Sequence, residues 1–274
     1  MNNTNCICRQ GDYMVIKLNE GISIINNQIM YNTNSGSEND VMNIIYPDIY
    51  NSEFLGNIYY FGYRFNDNAS RQDRTTLIHW LKGLDKNDCI DNKSLSRFIQ
   101  KPLIKLNEEE NLSSFSAIIY PRSNRSDLTL QINKEISVLT QHYTDKISYE
   151  LIKNIPNNIT FDWEFFNYTY EGEIGDNQYN QIYDYIENTL MSKIHNLSYF
   201  SIAQNVKPKY RMYIENYLHF ENKQTENAIK DIQNGKLLIV DDINTSGATL
   251  TEILRIIRAI NNEAQIYIFT LIGK

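Results

Sequence analysis

The pattern of apolar and polar residues alternates between strand-like and helix-like segments over most of the chain. Short, continuous apolar runs predict buried strands at 115–120, 147–152, 236–242 and 265–273. Apolar residues spaced by three or four predict helices at 74–84, 127–142, 179–197 and 249–260. Continuous apolar strands that alternate with helices are typical of a parallel sheet covered on both faces. The pattern therefore predicts an α/β fold.

The first quarter of the chain has a different pattern, made of short β-type runs. Two such runs around Asn-Glu-Gly predict a hairpin at 12–31, and an aromatic strand follows at 58–65. We therefore divide the chain into an N-terminal β-rich extension at 1–72 and an α/β domain at 73–274.

Three shorter segments give less regular patterns. The stretch 94–106 begins as a helix, but Pro102 predicts that the helix breaks or ends there. Thr225 is expected to cap a short helix that runs through Ile232. Residues 210–220 fit a helix and a strand equally well.

The candidate chemistry is concentrated in the string LLIVDDINTSGAT at 237–249. Ligands of parallel α/β sheets bind beyond the carboxyl ends of the strands, where Asp241 and Asp242 are expected. Carboxylates there can accept hydrogen bonds from sugar hydroxyls or hold a divalent cation through water. The small, hydroxylated loop that follows leads into a helix N-terminus, which suits a phosphate monoester. The alternative is an ordinary acidic turn and helix cap, but the complete ordered string favours a ribose 5-phosphate site.

This string resembles the phosphoribosyl-pyrophosphate (PRPP) signature of the type I phosphoribosyltransferases. The family fold is a Rossmann-like parallel sheet flanked by helices, which matches the predicted alternation. The resemblance implies that Asp241 and Asp242 contact the ribose hydroxyls, act in catalysis and bind Mg²⁺. It also implies a 5-phosphate loop formed by Thr245, Ser246, Gly247, Ala248 and Thr249.

Two basic segments extend the resemblance. The family carries a pyrophosphate loop after its first core strand, which places Arg122, Ser123 and Arg125 of YPRSNRSD against a diphosphate. The alternative for this segment is a surface turn with solvated arginines. A mobile loop with a basic residue is also implied, within 153–222. Its best candidates are Lys207, Lys209 and Arg211 of VKPKYR, with Lys209 expected to bind substrate and Arg211 to act in catalysis. An ordinary solvated basic turn explains the segment equally well.

Within the family, the competence-protein (ComF) branch gives the nearest pattern. The helix TTLIHWLKGL resembles a helix of that branch and places Lys82 at its lysine position. Two features depart from the branch: the chain lacks its Cys-rich zinc ribbon, and 157–205 has the pattern of an insertion. Of the three cysteines, Cys6 and Cys8 form a C-x-C pair and Cys89 stands alone. A zinc site would need a second pair at metal-ligand spacing, and the sequence has none.

Composition restricts the partners and the compartment. A net charge of −7 makes nucleic acid an unlikely main partner, although a local pocket can still be basic. No apolar run is long enough to span a bilayer and no secretory signal is evident, so we expect a cytoplasmic protein. The sequence is also compatible with a homodimer.

Two functions fit these observations. The first is a PRPP-dependent phosphoribosyltransferase with Mg²⁺ as cofactor and a nitrogenous base as acceptor. The second is a non-catalytic, ComF-like module that binds PRPP or a nucleotide, because the fold alone does not decide between them.

Overall fold

The computed structural model describes residues 16–18, 22–25, 28–31, 50–65, 71–84, 91–123, 126–140 and 148–273. The candidate pyrophosphate residue Arg125 and the three cysteines lie outside the described residues.

The strands form two larger sheets and one short pair. The strands are Ile16–Leu18 (β1), Ile22–Ile25 (β2), Gln28–Tyr31 (β3), Tyr50–Phe54 (β4), Asn57–Arg64 (β5), Ala117–Pro121 (β6), Ser148–Lys153 (β7), Thr160–Phe161 (β8), Ile214–Glu215 (β9), Leu218–Phe220 (β10), Lys236–Ile243 (β11) and Gln265–Gly273 (β12). Strands β1, β2 and β3 form a three-stranded antiparallel sheet, so the predicted hairpin is present and has a third strand. Strands β8 and β9 pair with each other.

The main sheet has seven strands in the order β10-β7-β6-β11-β12-β5-β4. Strands β7, β6, β11, β12 and β5 run parallel, while β10 and β4 are antiparallel at the two edges. The sheet is therefore mixed and mostly parallel, which confirms the α/β class. Strands β4 and β5 belong to this sheet although they lie within 1–72, the segment that the sequence pattern separates as an extension.

Helices cover both faces of this sheet. Within the described residues they are Arg71–Leu81 (α1), Asn92–Glu110 (α2), Leu128–Leu139 (α3), Trp163–Thr169 (α4), Asp176–Asp184 (α5), Ser192–His195 (α6), Ile202–Asn205 (α7), Lys223–Lys230 (α8) and Ala248–Ile260 (α9). A π-helical segment, Tyr185–Met191, joins α5 to α6. None of these helices has the length and apolar content needed to cross a membrane.

Side chains alternate between two hydrophobic cores along each strand, as the two-residue period of a strand requires. Ile118 and Leu238 face the core formed with α1, α2 and α3. Ile119 and Ile239 face the core formed with α8, α9 and the helices of the 157–205 segment. Strands buried on both faces explain the continuous apolar runs of the sequence.

The expected break at Pro102 is wrong, because α2 continues through this residue. A proline has no N–H for the carbonyl four residues earlier, which belongs to Phe98. The Tyr63 hydroxyl donates to that carbonyl oxygen instead, at 2.9 Å. A tertiary contact from β5 therefore satisfies the group that Pro102 leaves without its helical donor.

Two other local expectations change. The short helix α8 is capped by Asn222, whose Oδ1 accepts from the Thr225 backbone N–H at 2.9 Å, and not by Thr225. The ambiguous segment forms a 3₁₀ helix, Pro208–Tyr213, followed by the two short strands β9 and β10.

The direction of the strand order reverses between β6 and β11. From β6 the chain passes through α3 to β7 on one side, and from β11 it passes through α9 to β12 on the other. Helices α3 and α9 accordingly pack on opposite faces of the sheet, with Ile132 in one core and Ile253 in the other. Such a switch point leaves a crevice at the carboxyl ends of the two strands, where open α/β sheets bind ligands.

Candidate active site at the carboxyl ends of the central strands

A cleft with a cavity volume of about 390 Å³ opens at this switch point. It brings together residues that are far apart in the sequence and that the sequence analysis singled out. These are Lys82, Arg122, Ser123, Arg211, Asp241, Asp242, Thr245, Ser246 and Thr249.

The acidic pair lies at the end of β11 and is buried. Asp241 is 7% exposed and Asp242 is 5% exposed. The Asp242 backbone N–H donates to Oδ1 of Asp241 at 2.9 Å. Burial, together with the neighbouring charge of Asp242, raises the pKa of Asp241 to about 7. Asp241 therefore keeps its proton at higher pH than an ordinary aspartate does.

Lys82, which follows the last residue of α1, neutralises one member of the pair. Its Nζ lies 2.7 Å from Oδ2 and 3.0 Å from Oδ1 of Asp242. Burial acts to lower the pKa of Lys82, but the charge and hydrogen bond of Asp242 outweigh it and hold this pKa above its ordinary value. Lys82 thus contacts the acidic pair directly, and any ligand of Asp242 must share that carboxylate with it.

Hydrogen bonds to β12 and within the loop itself fix the loop between β11 and α9. The Asn244 backbone N–H donates to the Ile272 carbonyl of β12, and its side-chain oxygen accepts from the Gly247 N–H, both at 2.9 Å. Gly247 has φ 75°, the left-handed conformation that turns the chain into α9. The first-turn amides of α9 have no partner within the helix. Thr245, Ser246 and Thr249 line the cleft, whereas Gly247 and Ala248 do not.

The segment after β6 forms the opposite side of the cleft. The Arg122 backbone N–H donates to the Leu151 carbonyl at 2.7 Å, which fixes the start of this loop against β7. The Arg122 side chain is 59% exposed, and its Nη1 lies 3.5 Å from Oε2 of Glu150. Arg122 can therefore reorient toward an anion in the cleft at little cost. Ser123 lines the cleft beside it.

The three basic residues of VKPKYR point in different directions, because they lie on one tight 3₁₀ turn and the residue before it. Only Arg211 lines the cleft, and its Nε and Nη2 donate to the Val206 and Ala203 carbonyls at 2.9 and 2.7 Å. The ammonium groups of Lys207 and Lys209 lie 4.6 Å from the ring centres of Tyr185 and Tyr210. Lys209, a predicted substrate-binding residue, is thus outside the cleft lining.

Lys153 is a cleft residue that the sequence analysis missed. It ends β7, the parallel neighbour of β6, and its Nζ donates to the Tyr199 hydroxyl at 3.0 Å and the Phe200 carbonyl at 3.2 Å. The signal was available, because a charged residue at the carboxyl end of a predicted parallel strand belongs to the same edge as Asp241.

The residues present suit a divalent cation that arrives with a ligand. The described part of the chain holds no cluster of three or more His, Cys, Asp or Glu side chains placed to bind a metal. Magnesium, however, is commonly bound by one or two carboxylates together with substrate phosphates and water. The pair Asp241 and Asp242 offers that number of carboxylates, so the donor set fits a cation held mainly by a diphosphate.

A scan against protein-family models finds no match to the chain, and a search of curated proteins finds none either.

Proposed function

We propose that the protein is a PRPP-dependent phosphoribosyltransferase of the type I fold. It transfers ribose 5-phosphate to a nitrogenous base and releases pyrophosphate. One observation carries this proposal: the acidic pair of β11, the loop before α9 and the Arg122 loop after β6 all line a single cleft at the switch point of the sheet. A ribose with phosphate groups at both ends would use all three parts together.

We assign each part of PRPP to a side of the cleft. The 5-phosphate meets the amides of the first turn of α9 and the hydroxyls of Thr245 and Ser246. The ribose diol lies against Asp241 and Asp242, whose carboxylates accept hydrogen bonds. The diphosphate extends toward the ends of β6 and β7, where Arg122 and Lys153 lie. A volume of about 390 Å³ is within the usual range of small-molecule sites.

Transfer breaks the bond between C1 of the ribose and a diphosphate oxygen, and forms a bond from C1 to a nitrogen of the base. The diphosphate leaves with the electron pair, so its negative charge grows as the ribose gains oxocarbenium character. Arg122 and Lys153 neutralise the leaving group, while the carboxylates of the acidic pair face the positive ribose ring. Mg²⁺ bound to the diphosphate and the acidic pair would add further charge neutralisation there.

An assay of pyrophosphate release tests this proposal. We expect release from PRPP and Mg²⁺ to depend on one member of a panel of purine, pyrimidine and pyridine bases. Without a base, release should stay at the level of the non-enzymatic control. If no base accelerates release although PRPP binds, the protein is not a transferase for these acceptors and the binding-module alternative is favoured.

The alternative, a non-catalytic module that binds PRPP or a nucleotide, has its own supporting observation. Lys82 already pairs with Asp242, and Arg211 already bonds to two backbone carbonyls. Two of the positively charged groups that a transferase would use to bind its substrate are thus already paired within the protein. Binding of PRPP without turnover is the result that this alternative predicts.

Arg122→Ala should separate the two phosphate sites of the cleft. We expect the affinity for PRPP and for pyrophosphate to fall roughly tenfold, about 1.4 kcal/mol, because a charge-assisted contact to the diphosphate is lost. The affinity for ribose 5-phosphate should change less than about twofold. Calorimetric titration with the three ligands measures this, with Arg97→Ala on the exposed face of α2 as the matched control. Equal losses for all three ligands in Arg122→Ala would contradict the assignment.

A further inference from the structure

Among the described residues, a buried tyrosine hydroxyl beside the first turn of α9 has no partner within full hydrogen-bond geometry. Tyr217 precedes β10 and is 3% exposed, and it contributes to the lining of the cleft. Among the residues that the structure describes, none forms a hydrogen bond with its hydroxyl oxygen. Buried polar groups are nearly always satisfied, so an unsatisfied one needs a reason.

The position of this side chain is fixed by its surroundings. The Tyr217 backbone N–H donates to Oε1 of Glu252 at 3.1 Å, and its carbonyl accepts from the Asn154 N–H at 3.0 Å. Its ring packs edge-on against Phe200, with the ring centres 5.8 Å apart. Glu252 is itself held by Arg255 at 2.9 Å. The Tyr217 ring is therefore held in one position, and a mobile ring does not explain the missing hydrogen bond of its hydroxyl.

Thr249 is the link between this hydroxyl and the cleft. Thr249 and Glu252 are three residues apart on α9 and so lie on the same face of the helix. Glu252 holds the backbone of Tyr217. The Thr249 hydroxyl lies near the phenol oxygen and acts to lower its pKa as a hydrogen-bond partner does, although the pair falls outside full hydrogen-bond geometry. Thr249 also lines the cleft in the first turn of α9, where a phosphate would meet the helix N-terminus.

The phenol is suited to be a donor. Burial, followed by the negative charge of Glu252, raises its pKa well above the ordinary value of a tyrosine. The hydroxyl therefore keeps its proton at neutral pH and presents an O–H to any acceptor that comes within reach.

We propose that Tyr217 is a positioning residue for phosphate binding, which acts through Thr249. The loop residues Thr245 and Ser246 and the first turn of α9 together form a phosphate cup. When a phosphate monoester enters the cup, the Thr249 hydroxyl donates to a phosphate oxygen, and its own oxygen accepts from the Tyr217 hydroxyl. Ligand binding thus brings the near contact between the two hydroxyls to full hydrogen-bond geometry, and the bond fixes the Thr249 rotamer toward the phosphate. The inference rests on the proposed function, because it assumes that the cup receives the 5-phosphate of a ribose.

Tyr217→Phe tests the inference, because it removes only the hydroxyl. We expect the affinity for ribose 5-phosphate, measured by calorimetry, to fall about fivefold, or roughly 1 kcal/mol. The melting temperature of the free protein should be equal to or above that of wild type, because no bond is lost there. Tyr63→Phe is the matched control: its hydroxyl donates to the Phe98 carbonyl, so its melting temperature should fall while the affinity stays unchanged.

Thr249→Val and the double variant test the relay. Thr249→Val should also weaken ribose 5-phosphate binding, and adding Tyr217→Phe to it should weaken binding no further. Additive losses would overturn the relay, as would an unchanged affinity in Tyr217→Phe or a melting temperature lowered as in Tyr63→Phe. If wild type binds neither ribose 5-phosphate nor PRPP, the proposed function fails and this inference with it. Binding to wild type that Tyr217→Phe leaves intact overturns this inference alone.

Discussion

Asp242→Asn should destabilise the free protein by about 3 kcal/mol, whereas its neighbour Asp241→Asn should stabilise it. Asp242 is the direct partner of Lys82, and its removal leaves the ammonium group without its ion-pair and hydrogen-bond contacts in a site where only 24% of the lysine side chain is exposed. Breaking a buried pair on one side is costly because the remaining charge stays desolvated. Asp241 differs, because its own charge is unfavourable in the folded state.

The stabilisation by Asp241→Asn should depend on pH. The pKa of Asp241 rises from its ordinary value of 3.8 to about 7 on folding, so the folded protein binds more protons than the unfolded chain between these values. Its contribution to the free energy of unfolding therefore falls as the pH rises from about 4 to about 7, and is constant above that. The variant should gain at least about 1 kcal/mol at pH 8 and progressively less toward pH 4.

Urea unfolding in magnesium-free buffer from pH 5 to pH 8 measures both effects. Lys82→Met combined with Asp242→Asn serves as the control, because it removes both charges and should recover part of the stability that Asp242→Asn loses. A destabilising effect of Asp241→Asn at pH 8, or no effect of Asp242→Asn, would mean that the described pairing of these carboxylates is wrong.

Gly247→Ala should abolish most phosphate binding and lower stability by roughly 2–3 kcal/mol. Gly247 has φ 75°, where a side chain is strained, and an added Cβ would lie 2.9 Å from the Phe54 ring. Either the loop or the ring must move, and the loop carries the amides and hydroxyls of the cup. We expect the ribose 5-phosphate affinity to fall more than tenfold, above about 1.4 kcal/mol.

Gly172→Ala is the matched control for this variant. Gly172 has φ 76°, but an added Cβ there meets no atom within 4 Å, and the residue lies between α4 and α5. Both variants carry the same backbone strain, so their difference in stability reports the Phe54 contact. Ribose 5-phosphate binding should be unchanged in Gly172→Ala. Equal stabilities and equal affinities for the two variants would contradict the role assigned to Gly247.

The sequence alone was sufficient to predict the elements that have a regular apolar pattern. Strand β11 and helix α9 were predicted closely, because a continuous apolar run and a regular apolar stripe have few alternatives. The path of α2 through Pro102 could not be predicted, because the Tyr63 hydroxyl that serves the Phe98 carbonyl comes from a strand distant in sequence. The antiparallel edges were also missed, since β4 and β10 are short and their direction is set by pairing.

The candidate site likewise has residues that the sequence predicts and contacts that it does not. Asp241, Asp242 and Thr249 could be singled out from the sequence because one short string contains all three. The partners of these residues could not be, since the ion pair of Lys82 with Asp242 and the placement of Tyr217 depend on how separate elements pack. The direction of a side chain within a tight turn also cannot be predicted from the sequence. For this reason it was not possible to predict that Arg211 lines the cleft and Lys209 does not.

Calorimetric titration with PRPP and Mg²⁺ tests the central claim most directly, because the proposed transferase requires that the cleft binds PRPP. Wild type and the Asp241→Asn/Asp242→Asn variant are compared after circular dichroism shows that the variant is folded at the titration temperature. The account predicts binding by wild type and at least a tenfold loss, about 1.4 kcal/mol, in the variant, because two carboxylate acceptors for the ribose diol are removed. No binding by wild type, or equal binding by both proteins, would contradict it.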